Sequence, residues 1–289
     1  MREVPDTIKV VNMILLDGKK LALKLKASLK KEVESLPKKL RLAIVLVGDD
    51  PASKAFIKLK QRFAKDVGVE TRVYDYEAGI SRSKLRQNLR DIVHEKRNTG
   101  VIIQLPLPRR EWESYMVNAV VPSKDVDVLS SRAFEDFARG RSRILPPIVG
   151  AIKALFEEYA VSLENKKVLL IGRGMLVGKP ILAWLLQEGV EVIPVGKRAG
   201  DLTPHAKNAD VIISGVGVPK LITGDMVKDG VIIVDVGTSE SQGKLVGDID
   251  FDSVSKKASY ITPVPGGVGP LTVVGIFHNL LALAKKQHV

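Results

Sequence analysis

The chain contains no cysteine. That excludes disulfides, thiolate nucleophiles and cysteine-ligated zinc or iron–sulfur centres. Histidine is scarce: His94, His205, His278 and His288 are the only four, and no two share a metal-ligand spacing. No metal site and no serine–histidine hydrolase signature is expected. Aromatic residues make up 5% of the chain, and no nucleic-acid-binding module is visible. No apolar run of about 18 residues predicts a membrane span. The opening stretch MREVPDTIKV mixes charges with a proline and has no apolar core of a secretory leader. The expected place is the cytoplasm, with no membrane and no nucleic acid as partner.

What is present is an ordinary globular composition. The 289 residues are 45% apolar and 27% charged, enough for about two domains, each with a core. The net charge is +12 and is unevenly spread: residues 1–140 carry 28 basic and 19 acidic side chains, the rest 17 and 14. Such an excess suits a nucleic acid, an acidic surface or an anionic small substrate, or is simply a solvated face.

The first half alternates helix and strand. Residues 17–36 form an amphipathic pattern with Leu21, Leu25, Leu29, Val33 and Leu36 on one stripe. LRLAIVLVG, ending at Gly48, reads as a buried strand. A helix over about 52–67, a strand near 72–76, a helix capped by Ser81 and the strand VIIQLPLP follow. This is the rhythm of a parallel α/β layer. Residues 131–147 lose it and read as a linker ending in Pro-Pro. A helix is expected at about 148–160. A second α/β series begins at Lys166, and a last helix spans about 270–286. The fold class is therefore α/β with two domains. Residues 1–143 and 270–289 are assigned to one, 144–269 to the other.

The segment KVLLIGRGMLVGKPILAWLL is strand, tight turn, helix, with Gly172, Gly174 and Gly178 in the turn. Glycines there let a phosphate approach backbone N–H groups at a helix N-terminus. A site for NAD usually places an acid at the end of the next strand. Here that strand runs into Lys197 and Arg198, and Arg173 lies in the turn itself. Three cations suit a ribose 2′-phosphate and predict NADP.

In the first domain, Ala52, Ala55, Phe56, Leu59, Phe63 and Val67 are expected to form the buried face of one helix, with Lys54 and Lys58 pointing away. Lys60 falls at the border of that stripe. It either snorkels to solvent or enters a desolvated pocket, where a lowered pKa would fit it for proton transfer. Gln104 stands at the end of a predicted parallel strand, where open α/β sheets bind ligands. Asp125 and Asp127, two residues apart in KDVDVL, could accept N–H donors of a ligand or cap a turn.

With these motifs in hand, the sequence resembles the bifunctional methylenetetrahydrofolate dehydrogenase/cyclohydrolase family. The resemblance rests on VGDDPASKAF with Lys60, VIIQLPLP, PSKDVD, GRGMLVGKP, VIIVDVG with VGDIDF, and ITPVPGGVGPLT, in order. It implies a catalytic domain, to which the last helix returns, and a Rossmann domain carrying NADP, with a cleft between them. It also implies a homodimer. Lys60 matches the catalytic lysine, Gln104 the glutamine beside it, and Asp127 the aspartate that anchors the pterin. Phe56, Pro265, Gly266 and Gly267 match substrate-binding positions. Gly172, Arg173, Gly174, Val177, Gly178, Lys197, Arg198, Gly215 and Gly237 are the cofactor-binding set it implies. Folates often carry polyglutamate tails, which the basic first domain would attract.

The sequence departs from the family in five places, one of them LPPIVG, a loose match to the family's linker. Phe56 stands where tyrosine is usual, which opens the alternative of a dehydrogenase with weak or absent cyclohydrolase activity. Val128 replaces a glycine, and a β-branched residue resists positive φ, so the loop after Asp127 is expected to differ. Gly174 replaces a serine, and GKRAG replaces a His-Ser-x-Thr stretch.

Overall fold

A computed structural model describes residues 13–241 and 243–286 of the chain. His288 lies outside the described residues. The chain forms two compact units: residues 13–17 with 162–267, and residues 18–161 with 268–286.

The second-named unit is built on a three-stranded parallel sheet. Its elements, with strands and helices numbered in chain order over the whole molecule, are α1 (Gly18–Glu34), β2 (Arg41–Val47), α2 (Pro51–Asp66), β3 (Glu70–Tyr76), α3 (Arg82–His94), β4 (Gly100–Ile103), α4 (Glu113–Val117), α5 (Ser131–Ala138), α6 (Pro147–Glu158) and α10 (Val268–Lys286). The strand order is β3-β2-β4. The central β2 is buried along its whole length, which explains its unbroken apolar sequence. Val45 pairs with Ile103, and the Gln104 N–H continues the ladder to the Val45 carbonyl at 2.9 Å. Gln104 is thereby held one residue past the end of β4.

The other unit contains β1 (Ile14–Leu15), β5 (Lys167–Ile171), α7 (Gly178–Gln187), β6 (Glu191–Val195), α8 (Thr203–Asn208), β7 (Val211–Ser214), β8 (Ile232–Asp235), β9 (Ser239–Ser241), β10 (Lys244–Val246), α9 (Phe251–Val254) and β11 (Tyr260–Ile261). Six strands form a parallel sheet in the order β1-β11-β8-β7-β5-β6. Chain order reverses on either side of β5, so the glycine turn after β5 occupies the switch point where such sheets bind ligands. β9 and β10 form a separate antiparallel hairpin.

Three expectations from sequence are corrected. Residues 131–147 are not all linker: Ser130 accepts the Ala133 N–H and starts α5, which buries Ala133 and Phe137. α6 packs on α10 and α1, so it belongs with residues 18–161 rather than with a domain starting at 144. The chain instead passes between units at 17–18, 161–162 and 267–268, and β1 joins the six-stranded sheet by pairing with β11. The third is the expected absence of an apolar stretch of span length, which α10 supplies. By length and hydropathy it could cross a bilayer, the one such helix among the described residues. Its apolar residues instead fill a core: Leu271, Val274, Phe277, Leu280 and Leu281 are buried, and Phe277 stacks on Phe63 at 4.9 Å. Gly275 is needed there, because a Cβ would press on the Pro147 backbone at 3.2 Å.

Candidate active site

The helix carrying Lys60 has a different buried face from the one its apolar residues suggest. Asp50 caps α2 by accepting the Ser53 N–H at 2.7 Å, and Pro51 opens it. The buried residues are Ser53, Ile57, Lys60 and Ala64, at helical steps of four, three and four. Ala52 and Ala55 are exposed, and Phe56 and Leu59 are 43% and 48% exposed. Apolar periodicity alone misled here, because the helix packs a lysine and a serine inward. Lys54 and Lys58 do face outward, as expected.

Lys60 is therefore no border residue. It is 8% exposed, and its Nζ donates to Gln104 Oε1 at 2.8 Å. Gln104 is fixed in turn, because its Nε2 donates to the Leu105 carbonyl at 2.7 Å. That bond orients the amide so that its oxygen faces the lysine. Burial pushes the Lys60 pKa below the ordinary lysine range, and the Asp127 charge only partly restores it.

The two acids of KDVD have separate tasks. Asp125 is buried and accepts the N–H groups of Leu129 at 3.3 Å and Ser130 at 2.7 Å. It closes its own loop. Asp127 accepts no such bond from the described residues; burial pushes its carboxyl up to about 6, against the pull of Lys60. Asn279 of α10 secures this loop by donating to the Val126 carbonyl at 2.8 Å and the Leu145 carbonyl at 2.7 Å.

Val128 does not avoid positive φ. It takes the left-handed conformation that its β-branch disfavours, at φ 57°, and is 1% exposed. Burial of the side chain holds the loop in the shape a glycine would take without strain. Removing the strain should offset part of the lost packing. Val128→Gly is expected to lower stability by about 1–2 kcal/mol less than Val126→Gly, which loses an equally buried side chain without that relief. Denaturant midpoints of the two variants would check this. Equal losses would mean that no strain is stored at Val128.

In the other unit Gly172, Arg173, Gly174, Val177 and Gly178 form the turn, and Gly215 lies against it. Gly172 sits at φ 124°, and a Cβ on Gly178 would collide with the Gly172 carbonyl. Gly174 has open space around its Cβ direction. The first turn of α7 has no side-chain cap, which leaves backbone N–H groups for an anion. Gly215 must lack a side chain, since a Cβ would strike Val177. The Arg173 guanidinium donates to the Pro194 carbonyl at 2.8 Å, at the end of β6. This brings Arg173 beside the segment that carries the exposed Lys197 and Arg198. These residues fit a dinucleotide with a phosphorylated ribose. Among the loop residues near the chain's end, Gly266 sits at φ 112° and the Gly267 N–H donates to the Pro263 carbonyl at 2.8 Å. Pro265 is exposed.

A pair of buried acids was not assigned any role from sequence. Asp235 and Asp248 lie in VIIVDVG and VGDIDF, segments otherwise noticed only for the resemblance. An acid ending an apolar strand was the available signal. Gly237 is explained by this pair, because a Cβ there would run into the Asp248 carboxylate.

Fold and site together define a two-unit α/β enzyme with a desolvated lysine in one unit and a dinucleotide turn in the other. Residues 16–127 match the catalytic domain of tetrahydrofolate dehydrogenase/cyclohydrolase, and residues 146–288 match its NAD(P)-binding domain. The chain belongs to the tetrahydrofolate dehydrogenase/cyclohydrolase family. It is 43% identical over 278 residues to the bifunctional protein FolD of Nautilia profundicola, covering 95% of this chain and 98% of that one. The solved structure of the bifunctional FolD enzyme from Campylobacter jejuni superposes with a TM-score of 0.91 at 37% identity, covering 95% and 99% of the two chains. A Trypanosoma brucei FolD structure, described as complexed with NADP cofactor and inhibitor, has a TM-score of 0.90 at 28% identity, covering 96% and 98%.

Proposed function

We propose that the protein oxidises methylene-tetrahydrofolate to methenyl-tetrahydrofolate with NADP, then hydrolyses the product to formyl-tetrahydrofolate. The observation that carries this reading is the buried Lys60 amine, aimed by Gln104 at 2.8 Å and sharing its surroundings with Asp127. Asp127 accepts the pterin's amino and ring N–H groups through its two carboxylate oxygens. Phe56, half exposed on the uncovered side of α2, offers a ring face for stacking. The nicotinamide, when bound, supplies an acceptor for the hydride of the methylene carbon. This step asks the chain for alignment rather than acid–base help.

Hydrolysis asks for a proton carrier. Water attacks the methenyl carbon, and the new C–O bond forms as Lys60 takes the water proton. The carbon–nitrogen bond on one side then breaks as the remaining hydroxyl proton leaves to solvent and the formyl C=O forms, and the lysine returns its proton to that nitrogen. A lowered pKa keeps more of the amine neutral and able to do this. The Gln104 oxygen steadies the charged form between the two transfers.

Gly172, Arg173, Gly174, Val177, Gly178, Gly215 and Gly237 would hold the cofactor, with Lys197 and Arg198 at the 2′-phosphate. The double variant Lys197→Ala/Arg198→Ala is expected to raise the KM for NADP about 10- to 100-fold, since each charge-assisted contact contributes about 1.5–3 kcal/mol, less solvent screening at this exposed site. The KM for NAD should stay within about threefold. Equal effects on the two cofactors would remove these residues from the 2′-phosphate.

The paired assay tests the whole reading. One sample holds methylene-tetrahydrofolate with NADP, the other methenyl-tetrahydrofolate without nicotinamide. Turnover in both supports the bifunctional enzyme. NADP reduction with methenyl decay no faster than buffer supports the second reading, a dehydrogenase limited by the missing hydroxyl of Phe56. A cytoplasmic homodimer acting on polyglutamylated folate completes the proposal, supported by the family and by the +9 excess of residues 1–140.

A further inference from the structure

Two carboxylates are buried at the C-terminal edge of the six-stranded sheet: Asp248 is 0% exposed and Asp235 3%. Asp248 Oδ2 accepts the Ser214 hydroxyl at 2.7 Å and the Val216 N–H at 2.8 Å. Its Oδ1 accepts the Val218 N–H at 2.8 Å. Asp235 Oδ1 accepts the N–H groups of Gly237 at 2.9 Å and Asp248 at 3.1 Å, and its Oδ2 that of Ile249 at 3.0 Å. The Asp235 N–H donates to Thr262 Oγ1 at 2.7 Å. Gly237 and Gly247 make room for the pair, since a Cβ on either would strike the opposite carboxylate.

Burying two carboxylates is costly, and apolar side chains of similar volume would pack as well. What they add is specific: five loop N–H groups held in fixed directions where four chain segments leave the sheet. The loop that Asp248 holds begins at Gly215, and Gly215 abuts Val177 of the glycine turn. A shift of the loop is thus passed to the turn by direct contact.

We propose that Asp248 is a positioning residue for dinucleotide binding, acting on the loop Gly215–Val218 and, through Gly215 and Val177, on the glycine turn. The inference rests on the reading that this turn holds the dinucleotide. It assigns Asp235 the task of holding Asp248 through its backbone N–H. Neither acid touches a reacting atom.

The test is Asp248→Asn, measured by direct NADP titration in a calorimeter, by dehydrogenase kinetics and by methenyl hydrolysis without nicotinamide. An asparagine must turn an N–H toward the N–H of Val216 or Val218, whichever way its amide is placed. The expected result is a loss of about tenfold or more in NADP affinity and a matching rise in KM, with methenyl hydrolysis within about twofold of wild type. Ser214→Ala removes one bond and leaves both loop N–H bonds intact, so it should weaken NADP by about threefold or less. It also keeps the proposal testable should Asp248→Asn fail to fold. NADP affinity unchanged in Asp248→Asn, or both activities falling by the same factor, would overturn the proposal. So would Ser214→Ala losing NADP affinity as severely as expected for Asp248→Asn. Wild-type protein that fails to bind NADP would instead sink the cofactor reading beneath it.

Discussion

Lys60→Met is expected to slow methenyl-tetrahydrofolate hydrolysis by about 10²- to 10⁴-fold, the range that a positioned proton carrier contributes. NADP reduction with methylene-tetrahydrofolate should persist at a measurable rate, because the hydride step needs no proton from the lysine. Methionine nearly matches the lysine stem in length and suits the surroundings of Ile57 and Ala64 on the same face. Folding should therefore survive, and burial of a costly amine is relieved rather than added. The pH dependence gives a second check. Burial lowers the Lys60 pKa, so the neutral amine that accepts the water proton becomes more abundant as pH rises. Wild-type hydrolysis should climb with pH toward that lowered pKa, and the climb should vanish in Lys60→Met. The two activities, followed by their absorbance changes in parallel cuvettes, decide the outcome. A variant that hydrolyses methenyl-tetrahydrofolate as fast as wild type would show that the lysine is there for packing alone.

Asp127→Asn is expected to lose substrate and gain stability at once. The asparagine can accept only at its oxygen, so one of the two charge-assisted bonds proposed to the pterin would be lost and the other would become neutral. At about 1.5–3 kcal/mol for each such bond, the KM for folate should rise about 10²- to 10³-fold for both activities. Stability moves the other way. The folded-state pKa of Asp127 is raised to about 6 from the ordinary carboxyl value of about 3.8. The folded protein therefore binds the proton more tightly than the unfolded chain does. Stability from this group is fully present below about pH 4 and is lost as pH rises through about 6. At pH 7 the charged carboxylate costs about 3 kcal/mol, desolvation outweighing the attraction of Lys60. An uncharged asparagine should recover much of that. Thermal unfolding at pH 4 and pH 7 checks it: the variant's advantage should appear at pH 7 and shrink at pH 4. A variant that binds folate normally would remove Asp127 from the pterin. One that is less stable than wild type at pH 7 would mean that its attraction to Lys60 outweighs its burial.

The pair Lys60–Asp127 also shows why a carboxylate near a lysine need not be a salt bridge. Their mutual attraction is present, yet desolvation is the largest influence on each. Both groups are thus held away from their ordinary ionisation, a pattern more typical of catalytic groups than of structural ion pairs. The surface ion pairs elsewhere, such as Lys24–Glu158 at 2.7 Å with its lysine two-thirds exposed, are of the weak kind that contributes little.

Much of the fold was legible in the chain because its causes are local. A buried parallel strand must be apolar throughout, so RLAIVLV and the strands after Lys166 announced themselves. Ser81 and the pattern Leu85, Leu89, Ile92, Val93 defined α3, and all four are buried. The glycine turn was readable because a strand, a tight turn and a helix N-terminus impose their own residue types. Lys60, Gln104 and Asp127 could be singled out as candidates by residue type and by the family's motifs.

What the sequence by itself determined, then, is the α/β class, the glycine turn between strand and helix, and the identity of the candidate groups. Tertiary structure alone decided how α2 is turned. Its apolar residues Phe56 and Leu59 stay half exposed while Lys60 goes inside, because the amine finds an oriented amide oxygen there. Packing against α10 and α1 decided that α6 belongs with the first sheet, and pairing with β11 drew β1 into the other. Burial of its side chain held Val128 at a positive φ against its own preference. Asp235 and Asp248, 13 residues apart, met only when four chain segments converged at one sheet edge. Each of these outcomes balances a local preference against contacts with residues far along the chain. Periodicity and propensity report only the local side of that balance.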